Sequence, residues 1–164
     1  MRQLQLAIVV SFFASRVLLA QSEASFKKFT PSVNPHARRL ITDQFTLVND
    51  LQKIDPGVLE LFHAKVEPAD IANRGEPFNS TDVVVENRPA RRFVLAGNAP
   101  GLWFIWYEHG GIAYHQNLIV FSKTDRWQIA AAVQGNVMGD LDFESLKRAV
   151  KDGQLFSIAG HPDF

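Results

Sequence analysis

The side chains best equipped for chemistry fall in one short stretch. Between Leu102 and Phe121 (LWFIWYEHGGIAYHQNLIVF) lie Glu108, His109, His115, both tyrosines and two of the three tryptophans. A carboxylate beside an imidazole raises the imidazole's pKa and can relay a proton. Glu108 and His115 are therefore the acid–base candidates, and the reaction they would suit is a simple hydrolysis. Phe104 and Trp106 would floor a pocket beside them. Asn117 and Gln134 would orient a ligand by hydrogen bonds, the usual division between apolar lining and a few polar groups.

Other chemistries find no residues to carry them. The chain has no cysteine, which excludes thiol catalysis and cysteine-ligated metal. No Gly-x-Ser-x-Gly elbow is present. None of the glycine turns opens a helix after a strand, so no phosphate cradle for a nucleotide is expected. His36, His63 and His161 are scattered, and His109 and His115 fall on opposite faces in the register given below. No metal and no cofactor are expected on these grounds.

The elements that must position these residues follow from local signals. Gly110-Gly111 separates two β-prone runs and reads as a two-residue hairpin turn, where positive φ is needed. That turn pairs His109 with Ile112, Tyr107 with Tyr114, Trp106 with His115 and Phe104 with Asn117. Four-residue turns at Asn98–Gly101 and Lys123–Arg126 place Leu95 opposite Phe104 and Asn117 opposite Ala132. One sheet face then collects Val94, Trp103, Ile105, Leu118, Val120, Trp127, Ile129 and Val133, the expected core. The other collects Phe93, Leu95, Phe104, Trp106, Glu108, His115, Asn117, Ala132 and Gln134. On that mixed face Glu108 and His115 lie diagonally across the strands, within reach of one another.

Strands are expected at Asp82–Glu86, Arg91–Gly97, Leu102–Glu108, Ile112–Ser122 and Trp127–Gln134, an antiparallel meander of about five strands. Arg91-Arg92 reads as a charged guard on an edge strand. Two helices precede the sheet. Asn34-Pro35 opens the first, whose apolar stripe runs through Ala37, Leu40, Ile41, Phe45, Val48 and Leu51. Asp55-Pro56 opens the second, and the two form a helical pair. Residues 67–81, with two prolines and a glycine, are a long loop. Asp142 caps a third helix with Leu141 and Leu146 as its staple, and Gly153 ends it. The fold class is α+β, with the helices packed mainly on one face of the sheet and a short edge strand possible at Leu155–Ile158.

Length and charge bound the rest. A chain of 164 residues suits one domain with a sizeable core. Seventeen basic residues balance seventeen acidic ones, so no nucleic-acid partner is indicated. Met1-Arg2 followed by the apolar run Leu6–Ala14 reads as a signal peptide over residues 1–20, cut after Ala20 or Ala24. Arg16 breaks the run, which is shorter than a membrane span. Cleavage after Ala20 removes Arg2 and Arg16, leaving fifteen basic and seventeen acidic residues and a net charge of −2. Residues 21–33 are a loose lead-in to a single domain over residues 34–164. A periplasmic or secreted location follows. Asn79-Ser80-Thr81 matches a glycosylation acceptor, a triplet common by chance.

Two functions are compatible with this reading. The favoured one is a non-enzymatic domain that binds a small ligand, a peptide or another envelope protein through its aromatic sheet face. The alternative is a small hydrolase-like enzyme using Glu108 and His115. The two part on whether the Phe104/Trp106 face is an open concavity or a buried second core.

Overall fold

A computed structural model describes residues 26–158. The expected signal segment, both cleavage positions, residues 21–25 of the lead-in, and His161 lie outside the described residues. The order of elements is β1 (Phe26–Lys28), α1 (Pro35–Thr42), β2 (Thr46–Val48), α2 (Pro56–His63), β3 (Ile71–Ala72), β4 (Arg91–Ala99), β5 (Leu102–His109), β6 (His115–Lys123), β7 (Trp127–Gly135), α3 (Phe143–Asp152) and β8 (Leu155–Ile158). Single 3₁₀ turns stand at Leu51–Lys53 and Pro68–Asp70.

The class is α+β, with three helices on a mostly antiparallel sheet of eight strands rather than about five. The meander β4-β5-β6-β7 forms its middle. β8 and then β1 extend one side, and β2 extends the other. β3 pairs with the start of β4 in parallel. β8 stands where a short strand was expected, whereas β1, β2 and β3 could not be counted from the sequence because each is held by its neighbour and not by its own pattern.

Helix starts follow the local chemistry. The Asn34 carboxamide oxygen accepts from the backbone N–H of His36 at 2.8 Å and of Ala37 at 3.3 Å. Asp55 does the same for Gly57 and Val58 at 2.9 and 3.3 Å. Asp142 accepts from Ser145 at 2.7 Å, and Gly153 ends α3 with a left-handed φ of 66°. Each cap supplies a partner that the first turn of a helix lacks.

The expected helical pair does not form. The first helix ends at Thr42 instead of running to Leu51. Arg39 holds Asp43 by an ion pair of 2.7 Å, the chain straightens there, and Thr46–Val48 pairs with Ala96–Asn98 of β4. An open sheet edge here outweighs a helical stripe. Phe45, freed from the helix, sits edge-on to Phe104 and Phe143 at 5.3 and 5.5 Å.

Helices cover both faces of the sheet, which corrects the expectation of one. Ala37 and Leu40 of α1 and Leu146, Ala149 and Val150 of α3 pack with Leu95, Phe104, Trp106, Leu118 and Val120. Val58 and Phe62 of α2 pack with Phe93, Trp103, Ile105, Tyr107, Ile119 and Phe121 on the opposite face. The sheet is therefore the middle of three layers.

The register of the central hairpin also differs. Five residues, Gly110 to Tyr114, separate β5 from β6, and His109 pairs with His115. Phe104 lies opposite Val120 and Trp106 opposite Leu118, in place of Asn117 and His115. Relative to a two-residue turn the slip is three residues, an odd number, so every β6 side chain changes face. The cause is Gly110. Its N–H donates to Ala90 O at 2.9 Å instead of closing a tight turn. A Cβ there would stand 1.7 Å from the Asn79 carbonyl oxygen. Gly110 thus serves a close approach of two loops, and Gly111 alone supplies the positive φ, 98°. Shorter turns also replace the four-residue ones elsewhere: Ala99 pairs with Leu102 across two residues, so Leu95 faces Trp106, and Lys123 pairs with Trp127 across three. Asn117 faces Gln134, not Ala132.

Asp82–Glu86 is not a strand. Asn79 ties this segment into a closed loop: its Nδ2 donates to Val85 O and Arg88 O at 3.2 and 2.7 Å, and its Oδ1 accepts from Val85 N at 2.8 Å. The valines carry β propensity but find no partner strand.

Candidate functional site

The odd slip rearranges the polar side chains at the β5–β6 end of the sheet into two groups, one on each face. Glu108 and His115 are thereby separated. Glu108 shares its face with Gln116, while His115 lies opposite His109 on the other. The expected acid–base pair is not assembled.

On the α1/α3 face Glu108 is nearly fully buried and both carboxylate oxygens are engaged. Arg92 Nε donates to Oε2 at 2.6 Å, and the Tyr114 hydroxyl donates to Oε1 at 2.7 Å. Gln116 Nε2 donates to the Tyr114 oxygen at 3.2 Å, and its Oε1 accepts from Val137 N at 2.6 Å. Phe78 lies under the Arg92 guanidinium, 4.4 Å from ring centroid to Cζ. A buried carboxylate satisfied by a cation and a phenol is built to stay as it is. It joins β4, β5, β6 and the loop after β7.

On the α2 face Arg91, His109 and His115 form one row across β4, β5 and β6. Arg91 is ion-paired with Asp70. The next row holds Tyr107, Asn117 and Gln134. Asn117 is buried with neither amide atom hydrogen-bonded, as is the Tyr107 hydroxyl. His115 and Gln134 line a recess of about 300 Å³ with Tyr114 and Asn136. Of the expected site residues, the fold therefore places His115, Asn117 and Gln134 on one face. Glu108, Phe104 and Trp106 lie on the other, and the last two are wholly buried under α1 and α3. No ligand floor is open there. A larger recess of about 650 Å³ sits away from all of them, between Lys28, Asn34 and Val133.

Arg92, Tyr114 and Gln116 were not expected in the site. The signal was present in Arg91-Arg92. Adjacent residues on a strand point to opposite faces, and each arginine meets one carboxylate, Asp70 or Glu108, on its own side. They are not guards of a free edge, because β3 pairs with β4 at these two residues. Asn79, in the triplet that matches a glycosylation acceptor, is buried and spends its amide on the loop.

No protein-family model matches the chain, and neither the curated proteins nor the solved structures include a match. Function must be read from the site itself.

The two tyrosines provide a direct check on the network. Burial, then the hydrogen bond to Glu108, pushes the Tyr114 hydroxyl up from 10.0 to about 12. Burial raises Tyr107 further. These are the chain's only tyrosines. The folded pKa lies above the unfolded one, so this stability is complete below pH 10 and is lost as pH rises toward 12. An alkaline titration of the native protein will show no phenolate absorbance step near pH 10, whereas the urea-unfolded chain will show both tyrosines ionising there. A native step at pH 10 would mean that Tyr114 does not hold Glu108.

Proposed function

We propose that this chain is an exported, non-enzymatic interaction domain that binds a peptide or another envelope protein through the loops at the β5–β6 end of its sheet. One observation carries the reading. Among the described residues, the exposed large apolar side chains are Val33, Leu47, Val83, Val84, Val85, Ile112 and Met138. Five of these seven, all but Val33 and Leu47, stand on three loops at that one end. Ile112 is 94% exposed, Met138 79% and Val84 78%.

The loops are braced for display. Asn79 closes the valine loop on itself, Gly110 docks the hairpin loop against it, and Gln116 holds the start of the Met138 loop through Val137 N. Rigid backbone beneath exposed apolar groups lowers the ordering cost of binding. The aromatic face, the surface first favoured from sequence, is occupied by α1 and α3. The enzymatic alternative loses support because Glu108 and His115 lie on opposite faces and both oxygens of Glu108 are taken. Export rests on the apolar run after Arg2. Among the described residues no helix is long and apolar enough to cross a membrane.

The test is a capture from the envelope fraction of the native host, with the parent chain and the Val84→Glu/Ile112→Glu variant as baits. Both positions are exposed, so melting temperature should change little. The parent should retain a partner that the variant loses, and mass spectrometry of the native protein should find it starting at Gln21 or Ser25. Equal capture by both baits would remove the loop surface. An intact Met1, found in the cell extract alone, would remove export.

A further inference from the structure

We infer that His109 and His115 form a two-imidazole site for a late first-row divalent cation, a property independent of the interaction surface above. They face each other across the first pair of the β5–β6 ladder. Their ring centroids are 5.0 Å apart and the rings are inclined by 61°.

The spacing fits shared coordination. A metal–nitrogen bond of about 2.0–2.1 Å puts the ion about 3.2 Å from each ring centre. Two rings on one ion then have centres about 5.2 Å apart at a tetrahedral angle and about 4.5 Å apart at a right angle. The observed 5.0 Å lies between these values.

The tautomer fits as well. His115 Nδ1 stands 2.6 Å from the Ala113 carbonyl oxygen. A carbonyl can only accept, so Nδ1 carries the proton and Nε2 carries the lone pair. A backbone carbonyl on the second nitrogen is the usual support of a ligating histidine. Both rings are half-buried, which lets an ion reach them from solvent. The nearest cation along the row, Arg91, is neutralised by Asp70.

Among the described residues no third His, Asp or Glu joins the pair. Water, or a donor brought by a partner, completes the shell. Imidazole without thiolate favours copper(II) over the earlier divalent ions, and this chain has no cysteine to compete. The face assignment drawn from sequence had ruled this pair out, and the five-residue loop reverses it.

Copper(II) binding to the untagged chain should be followed by calorimetry and electron paramagnetic resonance. The expected result is one equivalent bound, with hyperfine structure from two nitrogens. His109→Gln and His115→Gln should each weaken binding roughly a hundredfold, since each loses the chelate. His36→Gln and His63→Gln should leave affinity unchanged. Absence of a stoichiometric site would overturn the proposal, as would a site indifferent to both His109→Gln and His115→Gln. Circular dichroism on each variant separates lost ligation from lost folding, and His109→Asn provides a second variant should His109→Gln unfold.

Discussion

Trp106→Ala will lower the unfolding free energy by about 3–5 kcal/mol, the range for removing a large aromatic side chain from a packed core. Trp106 is completely buried between Leu95 and Leu118, its cross-strand neighbours, beneath α1 and α3. The indole N–H has no hydrogen-bond partner there, so part of the side chain is a cost that the folded chain already bears. Trp106→Phe removes that donor and keeps most of the apolar contact. It should therefore be much the milder change. Urea unfolding followed by circular dichroism measures both. A loss under ~1 kcal/mol for the alanine variant would mean that this face is open to solvent and that the aromatic pocket expected from sequence deserves reinstatement.

The second large effect concerns a charge. Arg92→Ala will leave Glu108 buried with only the Tyr114 hydroxyl to hold it. Breaking a buried ion pair from one side costs about 3–5 kcal/mol when both partners are fully buried. The Arg92 side chain is 31% exposed against 4% for Glu108, so water screens part of the interaction and about 2–3 kcal/mol is expected. Removing both charges together, as Arg92→Met with Glu108→Leu, should cost less than Arg92→Ala alone, because no buried charge is then orphaned. Equal losses would mean that the arginine acts by packing on Phe78 and not by its charge.

Much of this fold is written locally. Asn34-Pro35, Asp55-Pro56, Asp142 and Gly153 mark helix ends because capping involves residues two or three apart. The four meander strands are legible for the same reason: their turns lie between them. What is not legible depends on distant chain. Gly110 reads as half of a tight turn, yet its role is set by Asn79, which no local pattern connects to it. Extra residues at Val94 and Ala130 shift the register within β4 and β7, and neither carries a glycine to announce a bulge. Val83-Val84-Val85 has strand composition and no strand to join. The site suffered most, because one odd slip moves all of β6 to the other face. Glu108 loses His115 as a neighbour and gains Tyr114 and Gln116, while His115 gains His109.

The outermost pairing of the sheet sets an order of events during synthesis. β1 takes its hydrogen bonds from β8, with Phe26 opposite Ile158. Among the described residues, its partner is the last strand in the sequence. Until β8 has been translated, that early segment has nowhere to dock, and closing so long a loop is slow. The rim of the molecule stays unsealed while the meander is being completed.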